Sequence, residues 1–553
     1  MREVEVATSR RSFLGLSSLV AGGALLGGRH RFSTYVDAPH GDVNEASIAQ
    51  LHAAMAAGSL TCEALVGKYL DRIEALDRSG PRLGAVLELN PDALNIARAL
   101  DIERNTKGTR GPLHGIPILL KGSIDTSDRM MTTSGSLALV GPPASQDATV
   151  AAKLRAAGAV ILGKTNMSEW GSHRSYRATS GWSAVGGQTH NPYVLDRNPS
   201  GSSSGSAVAT AANLCAASIG TETDLSIVSP ASANGVVGIK PTTGLTSRAG
   251  VVGGCPTHDT VGVHARTVTD AAIVLGAITG IDPRDSETKT SLGKSFSDYK
   301  EFLDPDGLRG ARVGVLRQVF AGFNSATDTV FNSAIEAMEK AGAIIVDPAD
   351  LPTAAQIAQD HSEGTVHSFE LKKNIEIYLA SRTGLNVRTL SDLIAFNNLH
   401  AAEEMPFFGQ ELFLIAQATT DLNDPRYLEA RRTCLSLSRE QGIDATLKRF
   451  NVEALVAPTG SPAWATDPIN GDHLVSPFPT PAGMAGYPTI SVPAGFSFGL
   501  PVGISFIGTA YSEPSLVKLA FAFEQATKIR RIPSFIPSLD VPSLKCPPLS
   551  RPR

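Results

Sequence analysis

From about residue 45 to residue 535, strand-length apolar runs alternate with helix-length amphipathic ones, and no low-complexity linker interrupts them. This rhythm constrains the chain most. Helices between strands return the chain across a sheet and cover its faces. Thr61 stands at a helix N-cap position ahead of Leu65, Val66, Tyr69, Leu70, Ile73 and Leu76 at helical spacing. Strands are expected at 85–89, at 116–120 running straight into Lys121, and at "AVILG" after a helix near 148–157 that Gly158 stops. The pattern returns at "ARVGVL", a helix around 330–341, "AIIV" and "EALVAPT". The expected fold class is α/β: a single large mixed, twisted β-sheet covered by helices on both faces, over residues 45–535.

The chain has 553 residues, 42% hydrophobic and 18% charged, which suits a globular protein with a sizeable core. A formal net charge of −4 does not argue for nucleic acid or an anionic membrane as partner. The five cysteines are widely spaced without a C-x-x-C pair, and no H-E-x-x-H occurs. Neither a metal site nor a disulfide framework is therefore expected, while a single disulfide stays open. At the N-terminus, Arg10 and Arg11 precede a weakly apolar run ending near Leu26, too short to span a bilayer. Residues 1–30 resemble a twin-arginine export signal, which would place the protein in the periplasm or outside the cell. As a disordered basic tail they would leave it in the cytoplasm. Residues 536–553 form a proline-rich tail, expected to be poorly ordered or pinned to the surface.

The densest candidate chemistry lies in "NPSGSSSGS" at 198–206. Gly201 to Gly205 satisfy G-x-S-x-G, a nucleophile elbow with Ser203 attacking. That motif needs a strand before it, and "HNPYVLDRNPS" with two prolines is a poor strand. The S-x-x-K matches of Ser291 with Lys294 and of Ser297 with Lys300 sit in a polar loop and read as solvated surface. A flexible linker is excluded as well, since the run continues into the small apolar "AVATAANLCAASIG", which suits close packing.

Lys121 behind an apolar strand, the serine run, and Ser226 ahead of "VVGIKPTTG" together resemble the amidase signature family. The likeness continues through "GKTNMSEW", "APTGSP" and "MAGYPTISVPAGFSFGLPVGISFIG", and "IGTETD" with "SGSSSGS" is most similar to the peptide amidase branch. The resemblance implies the amidase signature fold and hydrolysis of a carboxamide, peptide or non-peptide, without cofactor or metal. It further implies a Ser-Ser-Lys triad: Ser226 as acylated nucleophile, Ser202 as a bridging serine in a cis peptide, and Lys121 as base. Thr223, Asp224, Leu225 and Ser226 match the loop whose backbone N–H groups form the oxyanion hole. The implied partner is a small-molecule amide, with no nucleic acid and no stable membrane span.

A serine hydroxyl attacks well only when a base takes its proton, and lysine is a base only when neutral. The apolar "PILL" before Lys121 offers a desolvating wall that would lower its pKa. The chain departs from the family pattern at Leu225, where glycine usually precedes the nucleophile. A leucine there requires a negative φ or a strained loop, and its side chain could narrow the acyl pocket. Gly122-Ser123 after the lysine and Val228 after the nucleophile also depart. These leave two alternatives open: an amidase-fold binding protein of weak or no activity, and an amidotransferase-like subunit.

Overall fold

A computed structural model describes residues 43–474 and 480–539. The export-signal segment and the proline-rich tail beyond residue 539 lie outside the described residues. Among those described, no helix is long and apolar enough to cross a membrane.

The strands are β1 Val86–Leu89, β2 Pro117–Lys121, β3 Val160–Thr165, β4 Trp182–Ser183, β5 Gly187–Gln188, β6 Ala217–Glu222 and β7 Val237–Lys240. They continue with β8 Thr260–Ala265, β9 Arg312–Val315, β10 Ile344–Val346, β11 Ala454–Pro458, β12 Thr489–Ser497 and β13 Leu500–Ile507. Eleven of them form one mixed sheet in the order β1-β3-β2-β6-β8-β7-β12-β13-β11-β9-β10, while β4 and β5 pair apart. Helices cover both faces, so β2 and β3 are buried at every position and show no alternation.

Local signals account for many boundaries. The Thr61 hydroxyl accepts the Ala64 N–H at 3.0 Å and opens the helix Cys62–Arg72, whose Leu65, Val66 and Tyr69 enter the core. Gly158 takes φ 84° after the helix Thr149–Ala156, where a side chain would be strained. The helix Ser204–Ala211 is buried along its whole length, which only small residues permit at this packing distance. The rest of that small apolar run is strand: "ASIGTE" forms β6. A further helical layer, Ser362–Ser381, Leu390–Leu399 and Glu411–Gln417, packs around Leu379, Leu393 and Phe413. At the C-terminal side, Leu195 N–H donates to Ile536 O at 2.8 Å, pinning residue 536 to the body.

Candidate active site

Strands β3, β2 and β6 run parallel as neighbours, so their C-terminal ends share one edge of the sheet. Ligands of α/β sheets gather at such edges. Lys121 is the last residue of β2, fully buried. Its Nζ lies 2.7 Å from Ser202 Oγ, 3.0 Å from Ser203 Oγ and 2.9 Å from Thr221 Oγ1. Burial pushes its pKa down to about 7, against the opposing pull of Asp259 and Glu222. An amine in this position is half neutral near neutral pH.

The serine run wraps the entrance of the helix Ser204–Ala211, and its hydroxyls are structural partners as much as reagents. Ser204 Oγ donates to Ser200 O at 2.6 Å, Ser206 Oγ to Ile219 O at 3.0 Å, and Ser200 Oγ meets Ser229 Oγ at 2.8 Å. The Gly201–Ser202 peptide is cis. Gly201 admits no side chain, because a Cβ there would stand 2.2 Å from Ser168 Oγ. Ser203 is fully buried, and its hydroxyl donates to Thr221 O at 3.0 Å. No strand precedes it, so the elbow reading loses both its geometry and its exposed nucleophile.

The turn from β6 to the helix Val228–Ala233 carries the other half. Glu222 Oε2 accepts the N–H groups of Ile227 and Val228 at 2.6 and 3.0 Å, which curls residues 223–226 into a tight loop. Ser226 is 8% exposed against 3% for Ser202 and none for Lys121, which makes it the most open of the three. The two loops join through the backbone, Ser203 N–H donating to Ser226 O at 3.1 Å. No hydroxyl-to-hydroxyl hydrogen bond between Ser202 and Ser226 is present among the described residues. Thr223 Oγ1 donates to Asp259 Oδ1 at 2.5 Å, and Asp224 Oδ2 accepts from Thr480 Oγ1 at 2.7 Å. These anchor the loop from both sides. The N–H groups of Thr223 and Ser226 find no acceptor among the described residues.

Leu225 has φ 58°, so of the two conditions its side chain allowed, the loop meets the strained one. It keeps the left-handed backbone that glycine would adopt freely. A cavity of about 390 Å³ opens beside the site, with Ser202, Thr221, Thr223, Trp170 and His173 in its wall. Leu225 is half-buried, and neither it nor Ser226 is part of that wall.

Sequence reasoning missed Thr221, Glu222, Asp259 and His173. Thr221 and Glu222 stand within "IGTETD" at the C-terminal end of β6, which is buried at every position but Thr221 and so offers no alternation to read. Asp259 precedes β8 and reaches Thr223 only because β8 pairs with β6, Glu222 opposite Thr260.

The Amidase family model matches residues 64–517. The "Probable amidase" of Arabidopsis thaliana is 43% identical over 503 residues, 89% of this chain and 92% of that one. The native peptide amidase of Stenotrophomonas maltophilia has a TM-score of 0.85 at 48% identity, covering 89% of this chain and 99% of that chain. The peptide amidase PAM in complex with the competitive inhibitor chymostatin has a TM-score of 0.86 at 48% identity, covering 88% and 99%. Fold and relatives together define a hydrolase of amide C–N bonds. The chain belongs to the amidase signature family, within which peptide amidases are its structural neighbours.

Proposed function

We propose that the protein hydrolyses a peptide carboxamide through an acyl-enzyme on Ser226, with Lys121 as base and Ser202 as relay. The observation that carries this reading is the buried Lys121 Nζ, 2.7 Å from Ser202 Oγ, with its pKa pushed down to about 7. The neutral amine takes the Ser202 proton while Ser202 takes that of Ser226, whose oxygen attacks the carbonyl carbon. The developing oxyanion accepts from the loop N–H groups of residues 223–226, a contribution of about 3–4 kcal/mol to lowering the barrier for such donors. The lysine proton returns through Ser202 to the leaving nitrogen, and the C–N bond breaks with release of ammonia. Water then attacks the ester by the same relay and frees the carboxylic acid.

The peptide character of the substrate rests on the peptide amidases at 48% identity and on a cavity whose size lies in the usual range for ligand sites. Ammonia release tests it. Purified protein should liberate ammonia from a blocked dipeptide amide faster than from a long-chain fatty amide, and Ser226→Ala should release none. Equal or reversed preference would refute the peptide assignment. Turnover that survives in Ser226→Ala would refute the nucleophile.

A further inference from the structure

Behind the oxyanion loop lies a cluster that the proposed chemistry does not use. The loop Gly253–Asp259 presents Cys255 and His258 as C-x-x-H, and the helix Ser362–Ser381 presents Glu363, His367 and Glu370 at successive turns of one face. Candidate ligand atoms of Cys255, His258 and His367 all lie within 4.8 Å of one another. Cys255 Sγ is 3.7 Å from His258 Nδ1, which is 3.2 Å from His367 Nε2. At the usual bond lengths to thiolate and imidazole, a tetrahedral zinc ion holds its ligand atoms roughly 3.3–3.6 Å apart. Two of the three spacings therefore already stand close to those of a zinc ligand set, and the third is at most 4.8 Å.

We infer that Cys255, His258 and His367 form a three-ligand site for a zinc-class divalent cation, with Glu363 beside His367 as an acidic group at its entrance. Glu363 Oε1 is shut off from solvent without a hydrogen-bond partner and lies 3.7 Å from His367 Nε2. Glu370 has a different part. It accepts from Thr257 N–H at 3.0 Å, Thr257 Oγ1 at 2.9 Å and Tyr427 Oη at 2.7 Å, which fixes its carboxylate. The Cys255 thiol donates to Glu370 Oε2 at 3.2 Å, so the proton leaving sulfur on metal binding has an acceptor beside it. Carboxylates behind the ligands commonly orient them in this way. Glu363 also lines a surface cavity with Asp360 and Thr365, which offers an entry path.

The position of the site suggests what the ion would do. Asp259 Oδ2 accepts the Cys255 N–H at 2.9 Å, and Asp259 Oδ1 accepts from Thr223 of the oxyanion loop. His173, 3.5 Å from Thr223 Oγ1, stacks edge-on against His367 with ring centroids 5.6 Å apart. A cation bridging the Cys255 loop to the helix would hold Asp259, and through it Thr223, in place. The role is one of positioning and does not depend on the substrate assigned above.

Cobalt substitution in the full chain tests the site directly. Metal-free protein titrated with Co²⁺ should bind one equivalent with the intense visible bands of a tetrahedral centre and a thiolate-to-cobalt charge-transfer band. Zn²⁺ should bleach both. Cys255→Ser should lose the charge-transfer band, and Glu370→Gln, behind the thiolate, should retain it with affinity lowered by about tenfold or more. Zn²⁺ should also raise the melting temperature of the unaltered protein, and a chelator should reverse that rise. Weak octahedral cobalt spectra in the folded unaltered protein, or a charge-transfer band that persists in Cys255→Ser, would overturn the assignment. The three side chains would then be a buried hydrogen-bonded cluster only.

Discussion

As the proposed base, Lys121 should set the pH behaviour of the site. Burial holds its folded pKa near 7, below its ordinary value of 10.5, so acylation should rise with pH and level off above about 7. A rate profile flat from pH 5 to 9 under single-turnover conditions would exclude it as the base. The same depression fixes a stability slope. Between about 7 and 10.5 the unfolded state binds the proton more tightly than the folded state, so stability rises with pH across that window. The penalty for burying the ammonium is greatest below 7. Lys121→Met should remove this component of the slope in denaturant titrations, and an unchanged slope would contradict the burial argument. Leu225 gives a second residue-scale prediction. With φ 58°, its cost lies in the backbone. Leu225→Gly should relieve about 1–2 kcal/mol of left-handed strain, partly offset by glycine's greater unfolded freedom. It should change kcat/KM by a similar factor for small and large acyl groups. A selective gain for large ones would restore the pocket explanation.

At the scale of elements, glycines decide how closely the serine helix seats against the sheet. A Cβ on Gly205 would stand 2.3 Å from Ala85 O and 2.6 Å from Asn166 O, both backbone atoms. Gly205→Ala should therefore destabilise the protein by about 1–3 kcal/mol. Gly364→Ala, in the helix Ser362–Ser381 with open space around it, should stabilise by about 0.4–1 kcal/mol. Chemical denaturation of the two variants side by side checks the contrast. The same close approach explains which strands were legible in sequence. Strand β2 reads plainly because Ile118, Leu119 and Leu120 are apolar and large. Strands β6 and β8 are diluted by Gly220 and Gly262. Side chains there would meet Ser203 Oγ at 2.8 Å and Ile239 O at 2.1 Å, so packing demands residues that weaken the strand signal. The helix Ser362–Ser381 was missed for another reason. Its buried residues, among them Val366, Phe369, Glu370, Leu371 and Tyr378, face several neighbours and leave no single apolar stripe.

For the whole molecule, the candidate site joins residues that the sheet topology brings together across long separations. Lys121 and Ser202 are 81 positions apart and meet because β2 lies beside β6, while the serine helix packs over that edge. No spacing rule in the sequence encodes such a meeting. It was legible only through resemblance to a family, and Asp259 and His173, which that resemblance did not mark, went unseen. The export-like N-terminus remains a proposal of the sequence: a Lys substitution of Arg10 and Arg11 should block export if the segment is a signal, as cell fractionation would show. The whole proposed mechanism rests on Ser226 as the acylated residue. Labelling with a fluorophosphonate, followed by peptide mapping in a mass spectrometer, tests this most directly. One adduct per chain is expected, on Ser226, abolished in Ser226→Ala and strongly slowed in Lys121→Ala. An adduct on Ser202 or Ser203 in the unaltered protein, or labelling at full rate without Lys121, would contradict it.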